Sequence, residues 1–212
     1  MKKKGEMREF KIITMGETGV GKTSILTRFT KQEFNEYSFV TIGVAFSTKE
    51  IKTKSGETIM LKLVDTAGQE KYRSLTRSYF KNVNAVLFVF SLYEKGTFTN
   101  MKEWIELFDE NCSSNKDIPK YLIGNKSDLE HNVTEDEIAT FLEENKGLKY
   151  KETSARNNEA ITDLFEELAE TLAQTEKKQD KQNIKSINTP KKVTKRKSCC
   201  VPEDIEVNAG DF

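Results

Sequence analysis

Residues 16–23 read GETGVGKT and match the pattern G-x-x-x-x-G-K-[ST], which is typical of a loop that binds phosphate groups. The glycines allow backbone N–H groups to turn toward phosphate oxygens, and a helix that begins at the end of the loop adds positive potential. We expect Lys22 to reach the β- and γ-phosphates of a nucleotide and the Thr23 hydroxyl to bind Mg²⁺. By itself the loop indicates only a nucleoside triphosphatase or a kinase. The residues expected to contact the nucleotide here are Gly16, Thr18, Gly19, Val20, Gly21, Lys22, Thr23 and Ser24.

Residues 125–128 (NKSD) follow a short apolar run and are expected at the carboxyl end of a buried strand, where ligands of such sheets bind. The Asp128 carboxylate can accept hydrogen bonds from N1–H and the exocyclic amine of guanine, a donor pair that adenine lacks. Lys126 is expected to lie over the base and ribose. Residues 153–156 (TSAR) are a weaker signal, in which a backbone N–H, that of Ala155, meets guanine O6. The base-binding residues predicted by these segments are Asn125, Lys126, Asp128, Ser154, Ala155 and Arg156.

Residues 65–70 (DTAGQE) follow another predicted strand and carry groups suited to cleaving a phosphoanhydride bond. A carboxylate at the end of a strand can hold Mg²⁺ directly or through water. Gly68 allows a backbone N–H to approach the γ-phosphate, and Gln69 is suited to orient a water molecule for in-line attack. Thr41 lies in an irregular segment where nothing in the local pattern singles it out, but its hydroxyl could complete the magnesium shell when the γ-phosphate is present. The predicted metal ligands are thus Thr23, Thr41 and Asp65, and the predicted catalytic residues are Lys22, Thr41 and Gln69.

Alternating strands and helices are predicted to position these segments. Strand patterns cover residues 10–15, 44–53, 58–64, 85–90 and 121–123, and helical patterns follow the phosphate loop and cover residues 101–108, 134–142 and 161–172. The turn at 54–57 (KSGE) predicts that the second and third strands are antiparallel neighbours. The almost continuous apolar run at 85–90 is typical of a strand buried on both faces of a parallel sheet. The order of elements predicts a doubly wound α/β sheet.

Composition narrows the class of protein further. The chain has 212 residues, 32% of them charged, with a formal net charge of zero, so it fits a globular domain with a tail and gives no argument for binding nucleic acid. It has only three cysteines, two of them adjacent, which is no disulfide framework and favours a reducing compartment. No apolar run follows the basic N-terminus and none approaches 18 residues, so neither a secretory signal nor a membrane span is expected.

The motifs GETGVGKT, TIGVAF, DTAGQEKYRS, NKSD and TSAR, in this order and spacing, resemble the Ras superfamily, and within it the Rab family of membrane-traffic GTPases. The likeness covers about residues 8–175. It implies an α/β fold of the P-loop NTPase (small G-protein) type, with a six-stranded, mostly parallel sheet, one antiparallel strand and helices on both faces. It implies that GTP and GDP bind with Mg²⁺, and that Phe34 packs on the guanine. No arginine is obviously placed as a finger in cis, so hydrolysis is expected to be slow, on the order of 10⁻⁴ s⁻¹.

The resemblance also implies partners. Residues 34–46 and 65–80 would change when the γ-phosphate is lost and would be read by effectors, and exchange factors and GTPase-activating proteins would set the nucleotide state. A monomer at the cytosolic face of endomembranes, with a soluble cytoplasmic pool, is the implied setting. A signalling module outside membrane traffic stays open as an alternative. A P-loop ATPase or kinase is disfavoured by the NKSD and TSAR segments. A non-hydrolysing scaffold is disfavoured by the complete set of predicted phosphate and metal residues.

Two positions depart from the Rab pattern. Val64 stands where Rab proteins usually have tryptophan, and Ala45 replaces the aspartate of IGVDF. With Phe46 and Tyr79, that tryptophan normally forms an aromatic surface for effectors. Valine is expected to leave a smaller, flatter patch there, and neither position is expected to touch nucleotide.

The sequence divides into an N-terminal arm (1–7), a nucleotide-binding domain (8–176) and a tail (177–212) that is expected to be disordered. From residue 177 to 197 there are nine basic residues and one acidic residue. Cys199 and Cys200 follow this polybasic stretch, as in a lipid-modified anchor for an anionic membrane. Twelve further residues carry four acidic side chains and hide the pair from enzymes that read a chain's end. Prenylation, trimming before prenylation, palmitoylation and a merely solvated tail with two inert thiols stay open.

Overall fold

The computed structural model describes residues 7–36, 41, 43–68, 79–112 and 118–187, with side chains through Thr175. Within these ranges the chain forms six strands: β1 (Glu9–Met15), β2 (Val44–Lys52), β3 (Thr58–Thr66), β4 (Ala85–Ser91), β5 (Lys120–Asn125) and β6 (Leu148–Thr153). The same part of the chain contains five helices: α1 (Lys22–Lys31), α2 (Lys95–Thr99), α3 (Met101–Asn111), α4 (Glu135–Glu144) and α5 (Ile161–Ile187). The short α2 was not predicted.

The six strands form one sheet in the order β2-β3-β1-β4-β5-β6, and only the β2–β3 pair is antiparallel. The predicted six-stranded sheet and the predicted hairpin are therefore confirmed. β2 and β3 stay paired from Lys52↔Thr58 to Val44↔Thr66. The Ala67 N–H extends the ladder by donating to the Gly43 carbonyl at 2.9 Å. At the other edge, β6 pairs only with β5, which allows its polar sequence (LKYKET).

The core is divided between the two faces of the sheet, with helices on both as predicted. On one face the sheet packs against α1 and α5, where the rings of Phe29 and Phe165 stack at 3.9 Å. On the other face it packs against α3 and α4. Every residue of β4 is buried, because Leu87 and Val89 contact the first cluster while Val86 and Phe88 contact the second. The helical pattern predicted at 101–108 is confirmed by α3, whose apolar residues Met101, Trp104, Ile105 and Phe108 are all buried.

The C-terminal helix differs from the sequence prediction. The structure divides into units of residues 1–177 and 178–212, and α5 ends at Ile187. The expectation of disorder from Lys177 is therefore wrong for residues 177–187, which contain no proline or glycine and several lysines and glutamines, all compatible with a helix. Within the described residues, no helix combines the length and apolar character that crossing a membrane requires.

Candidate nucleotide-binding site

The phosphate loop, residues 16–23, connects β1 to α1 and requires glycine at two positions. Gly16 has a φ of +141°, and a Cβ there would lie 2.0 Å from the Val89 carbonyl oxygen of β4. Gly21 has a φ of +96°, and a Cβ there would lie 2.2 Å from Nδ2 of Asn125. Backbone at positive φ favours glycine, and the close contacts exclude any side chain. The loop is thus packed directly against the ends of β4 and β5.

Lys22 is buried, and its ammonium donates hydrogen bonds to the carbonyls of Gly16 (2.9 Å) and Glu17 (2.7 Å). These two bonds curl the side chain back over its own loop. Burial lowers the pKa of Lys22 to about 8, although the charges of Asp65 and Glu17 act in the opposite direction. Because desolvation disfavours the ammonium, an anion bound beside it would be stabilised strongly. The arrangement suits a nucleotide phosphate.

The three predicted metal ligands come together at the start of α1. The Thr23 hydroxyl donates to Oδ2 of Asp65 at 2.6 Å and lies 2.9 Å from the Thr41 hydroxyl. Burial raises the pKa of the Asp65 carboxyl, against the hydrogen bond from Thr23 and the charge of Lys22. A cation would offset that desolvation. Hard oxygen donors of this kind are what Mg²⁺ prefers, so these residues fit a magnesium ion.

A small cavity of about 60 Å³, here called the phosphate cavity, lies next to these groups. The buried Thr18 hydroxyl, in the same lining, has no hydrogen-bond partner among the described residues. Gly68 also lines the cavity, and a Cβ on it would lie 2.3 Å from the Thr18 backbone nitrogen. Buried hydroxyl groups are ordinarily hydrogen-bonded, so Thr18 is suited to a phosphate oxygen. The complete lining is Thr18, Gly19, Gly21, Lys22, Thr23, Thr41, Thr66 and Gly68.

A second cavity of about 260 Å³, the base cavity, shares Gly19 and Gly21 with the phosphate cavity. Asp128 lines it, and its Oδ1 accepts a hydrogen bond of 2.6 Å from the Ser154 hydroxyl. The half-buried Phe34 lies at the same cavity. The complete lining is Gly19, Gly21, Ser24, Phe34, Asn35, Glu36, Asn125, Lys126, Asp128, Leu129, Ala155 and Arg156. Sequence motifs from four parts of the chain therefore meet around one volume.

Asn125 links the two cavities. Its side chain is buried, and its Nδ2 donates to the Val20 carbonyl of the phosphate loop at 2.8 Å. Its Oδ1 accepts from the Thr153 hydroxyl (3.2 Å) and from the Ala155 N–H (3.3 Å). The predicted role of Asn125 is contact with the base. In the structure its hydrogen bonds connect the phosphate loop to residues 153–156. The Ala155 N–H bonds to this side chain, and its expected contact with guanine O6 stays a prediction.

Sequence reasoning missed three side chains near the site. Glu94 accepts a hydrogen bond from Lys126 Nζ at 3.4 Å. Arg28, on α1, bonds to the carbonyl of Ala155. Trp104, which lies in the helical pattern predicted at 101–108, is buried and also donates to Glu17 of the phosphate loop at 3.2 Å. No local pattern identifies these residues, because each pair joins elements distant in sequence.

A larger cavity of about 850 Å³ lies away from these residues, among side chains that include Lys11, Lys81, Asn84 and Cys112. Its polar groups bond to one another. Oδ1 of Asn84 accepts from the Lys11 backbone N–H at 2.8 Å, and the Lys11 ammonium donates to the Lys81 carbonyl at 3.0 Å. The Cys112 thiol points to the Phe80 carbonyl at 3.3 Å. None of the predicted site residues lines it.

The expected effector patch is only partly described. Gln69 and most of residues 65–80 beyond Gly68 lie outside the described residues. Phe46 is 63% exposed and forms a tilted pair with the Tyr79 ring at 5.5 Å. Val64, in contrast, is 1% exposed, so its own side chain adds almost nothing to this surface, and the expected effect of valine on effector binding stays a prediction. Both faces of the sheet are covered where β3 ends, and the small valine packs inside.

A comparison with family models identifies the chain. The model described as Ras family matches residues 11–174. The chain belongs to the Ras family. It is 34% identical to Ras-related protein rab-11.1 of Caenorhabditis elegans over 204 residues, 91% of this chain and 95% of that protein. It is 35% identical to Ras-related protein RabC of Dictyostelium discoideum over 194 residues, 90% and 97% of the two chains. It is 38% identical to Ras-related protein YPTC6 of Chlamydomonas reinhardtii over 160 residues, 75% and 73%.

This Ras-family protein is a Rab-like small GTPase of vesicle traffic. Members of the family bind GTP and GDP, with Mg²⁺ as the general metal, and hydrolyse GTP. They work with exchange factors, GTPase-activating proteins and effectors.

The close approach of Gly68 to the phosphate loop gives a testable prediction. In Gly68→Ala the new methyl group would lie 2.3–2.5 Å from backbone atoms of Glu17 and Thr18, so the segment after β3 must move away from the γ-phosphate position. We expect GTP affinity to fall about tenfold, as for one lost hydrogen bond to a charged group, while GDP affinity stays within about twofold. Titration with fluorescent GDP and a non-hydrolysable GTP analogue measures both. Gly96→Ala, where a Cβ meets nothing within 4 Å, is the control, and equal affinities of Gly68→Ala for both nucleotides would contradict the prediction.

Proposed function

We propose that this chain binds GTP and GDP in the joined base and phosphate cavities and hydrolyses GTP there with the residues predicted from its sequence. The observation that carries the proposal is the pair of bonds through which Asn125 connects Val20 of the phosphate loop to Ala155. Those bonds connect a segment predicted to bind guanine with the loop predicted to bind phosphate, which supports the proposal. The base of a nucleotide would lie in the base cavity and its phosphate chain in the phosphate cavity.

Each phosphate-side residue has a distinct part in the proposed mechanism. Lys22 neutralises charge on the β- and γ-phosphates, and the Thr18 hydroxyl and the backbone of Gly68 approach the γ-phosphate. Thr23, Thr41 and Asp65 would hold Mg²⁺, which when bound neutralises charge that develops on the phosphates. Gln69, the next residue after Gly68, orients the attacking water. The protein thus contributes mainly position and electrostatics.

Nucleotide competition tests this proposal directly. Full-length protein loaded with fluorescent GDP is challenged with GTP, GDP or ATP in the presence of Mg²⁺. We expect ATP to compete at least about a thousandfold less well than GTP, because Asp128 has no donor pair to accept from adenine. Equal displacement by ATP and GTP would overturn the proposal. Slow release of phosphate from bound GTP that inhibitors of contaminating ATPases do not change would support the proposed hydrolysis of GTP.

The proposed switch uses two segments, residues 34–46 and 65–80. Loss of the γ-phosphate removes the partners of Thr41 and Gly68, so both segments are released. Exchange factors, GTPase-activating proteins and effectors would bind these segments, and the exposed Phe46 with Tyr79 offers effectors an apolar contact. We propose that the protein acts as a monomer that cycles between the cytosol and the cytosolic face of endomembranes.

Residues 177–212 are proposed as the membrane-binding tail. They contain nine basic and five acidic residues, a net charge of +4, so a chain of net charge zero leaves −4 on residues 1–176. The domain alone would be repelled by an anionic leaflet. Basic residues near such a surface contribute about 1 kcal/mol each, and a lipid on Cys199 or Cys200 would make the binding durable.

We predict that the tail is dispensable for nucleotide binding and required for membrane association. Three forms are compared by cell fractionation: the full chain, a chain ending at Cys200, and Cys199→Ser/Cys200→Ser. Removing residues 201–212 takes away four acidic side chains and is expected to strengthen membrane binding, whereas the double serine variant is expected to be cytosolic. Cys112→Ser controls for the loss of a thiol. If all three forms partition alike, the cysteine pair is not an anchor.

A further inference from the structure

Arg28 lies in the last turns of α1 and bonds to three backbone carbonyls at once. Its Nε donates to the Ala155 carbonyl at 2.8 Å, and its Nη2 donates to the Arg156 carbonyl at 2.9 Å. Its Nη1 donates to the Gln32 carbonyl at 3.0 Å, just beyond the end of the helix. Residues 153–156 are called the guanine loop below. The planar fork of arginine suits several fixed acceptors.

The same guanidinium also contacts the residue proposed to pack on the base. Its Cζ lies 5.7 Å from the centroid of the Phe34 ring, within the range of a cation–π interaction. A second contact connects the guanine loop to the segment that contains Phe34, because Arg156 forms an ion pair of 3.3 Å with Glu36. That pair is exposed and contributes little by itself, but it joins the same two segments. Phe34, Glu36, Ala155 and Arg156 all line the base cavity.

We propose that Arg28 is a positioning residue for guanine nucleotide binding. Its guanidinium holds the guanine loop on one side and Phe34 on the other, so that the base cavity keeps its width when the nucleotide is bound. Arg28 itself does not line that cavity and therefore acts through its partners. This inference rests on the proposed function, because it assumes that the base occupies the cavity. Its consequence is slow release of nucleotide.

A simpler role for Arg28 is to stabilise the end of α1. A cation in the last turn of a helix interacts favourably with the helix dipole, and the bond to Gln32 fits that role. Lys31 is the other basic residue in this last turn. It is exposed, and no hydrogen bond of its side chain to the guanine loop is found in the described part of the chain. Lys31→Met therefore removes a helix-end charge while leaving the guanine loop untouched.

The test compares Arg28→Lys, Arg28→Met and Lys31→Met with the natural chain, all full length and loaded with fluorescent GDP. Dissociation is followed after adding excess GDP, with Mg²⁺ and again with a chelator. We expect GDP to dissociate about tenfold faster from Arg28→Met, equivalent to about 1.4 kcal/mol. Arg28→Lys keeps the charge but lacks the fork, and we expect it to dissociate GDP about fivefold faster. Lys31→Met is expected to match the natural chain within about twofold.

Two further readouts separate positioning from general damage to the fold. Single-turnover hydrolysis of bound GTP is expected to stay within about twofold in every variant, because the phosphate cavity is unchanged. Removal of Mg²⁺ is expected to accelerate release by the same factor in Arg28→Met as in the natural chain, as independent sites behave.

Natural dissociation rates in Arg28→Lys and Arg28→Met would overturn the inference, and so would hydrolysis that falls in step with binding. Fast dissociation of GDP from Lys31→Met would also overturn it, because loss of a charge at the end of α1 would then explain the faster release. If the natural chain itself fails to retain guanine nucleotide, the proposed function fails, and the failure is visible before any variant is measured.

Discussion

Asp128→Asn is expected to lower the affinity for GTP and GDP by about a thousandfold and to create binding of xanthine nucleotides. A site built to accept hydrogen bonds from a substrate rejects a partner that cannot supply them by factors of this size. In the variant the amide places a donor where guanine also presents donors. Xanthine carries a carbonyl where guanine has its exocyclic amine, and this carbonyl would accept a hydrogen bond from the new amide.

The structure explains why the rest of the site should survive this change. Oδ1 of Asp128 accepts a hydrogen bond from the Ser154 hydroxyl, and an asparagine carbonyl oxygen can accept the same bond. The side chain then keeps its position and its amide nitrogen faces the base. The effect is therefore one of selectivity and not of unfolding.

Competition against fluorescent GDP and fluorescent XDP measures the switch in preference. Asp163→Asn, an exposed position in the first turn of α5, is the matched control and should bind GDP as the natural chain does. Retention of natural GDP affinity by Asp128→Asn would exclude this carboxylate from base recognition.

Thr23→Asn is expected to lower GTP affinity about a hundredfold and GDP affinity much less. The Thr23 hydroxyl lies between Oδ2 of Asp65 and the Thr41 hydroxyl, at 2.6 and 2.9 Å. Asparagine is longer, and its amide nitrogen would donate to Asp65 from the position that a metal ion needs. Mg²⁺ requires nearly ideal octahedral geometry, so this displacement is not tolerated easily.

The decisive measurement is the dependence of affinity on Mg²⁺. Affinities for GDP and a GTP analogue are determined with Mg²⁺ and with a chelator, and the gain that Mg²⁺ gives the natural chain should be almost absent in the variant. Thr27→Asn, about one turn further along α1, controls for asparagine in the helix. A full magnesium gain in Thr23→Asn would mean that this hydroxyl is not a ligand.

The sequence predicted those parts of the site that depend on local pattern. Lys22 and Asp128 follow strands and Asp65 lies next to the last residue of β3, and parallel strands bring their carboxyl ends to one edge of the sheet. The positions of Lys22 and Asp128 at two neighbouring cavities, and of Asp65 beside Thr23, follow from that rule. Thr41 has no local pattern and was placed only through the resemblance, yet its hydroxyl lies 2.9 Å from that of Thr23.

Other features depend on tertiary contacts and leave no mark in the sequence. Arg28 reads as an ordinary cation near a helix end, and only the fold brings the Ala155 carbonyl to it. Val64 reads as a surface replacement for tryptophan, and only the fold shows that its side chain is buried, in the cluster that includes Ile13 and Met15. The helical start of the predicted tail was missed because low hydrophobicity indicates disorder without excluding a helix.

The antiparallel ladder between β2 and β3 limits the number of conformational states that the two proposed switch segments can adopt. It runs without interruption from the hairpin to Val44↔Thr66, and the Ala67 N–H to Gly43 carbonyl bond carries it into the end of residues 34–46 and the start of residues 65–80, the two proposed switch segments. Two segments that changed conformation independently would have four combined states, and in two of those states they would disagree about which nucleotide is bound. Because these hydrogen bonds join the two proposed switch segments, we expect both to change together when the γ-phosphate is lost, so that a partner bound to either segment would detect the same nucleotide state.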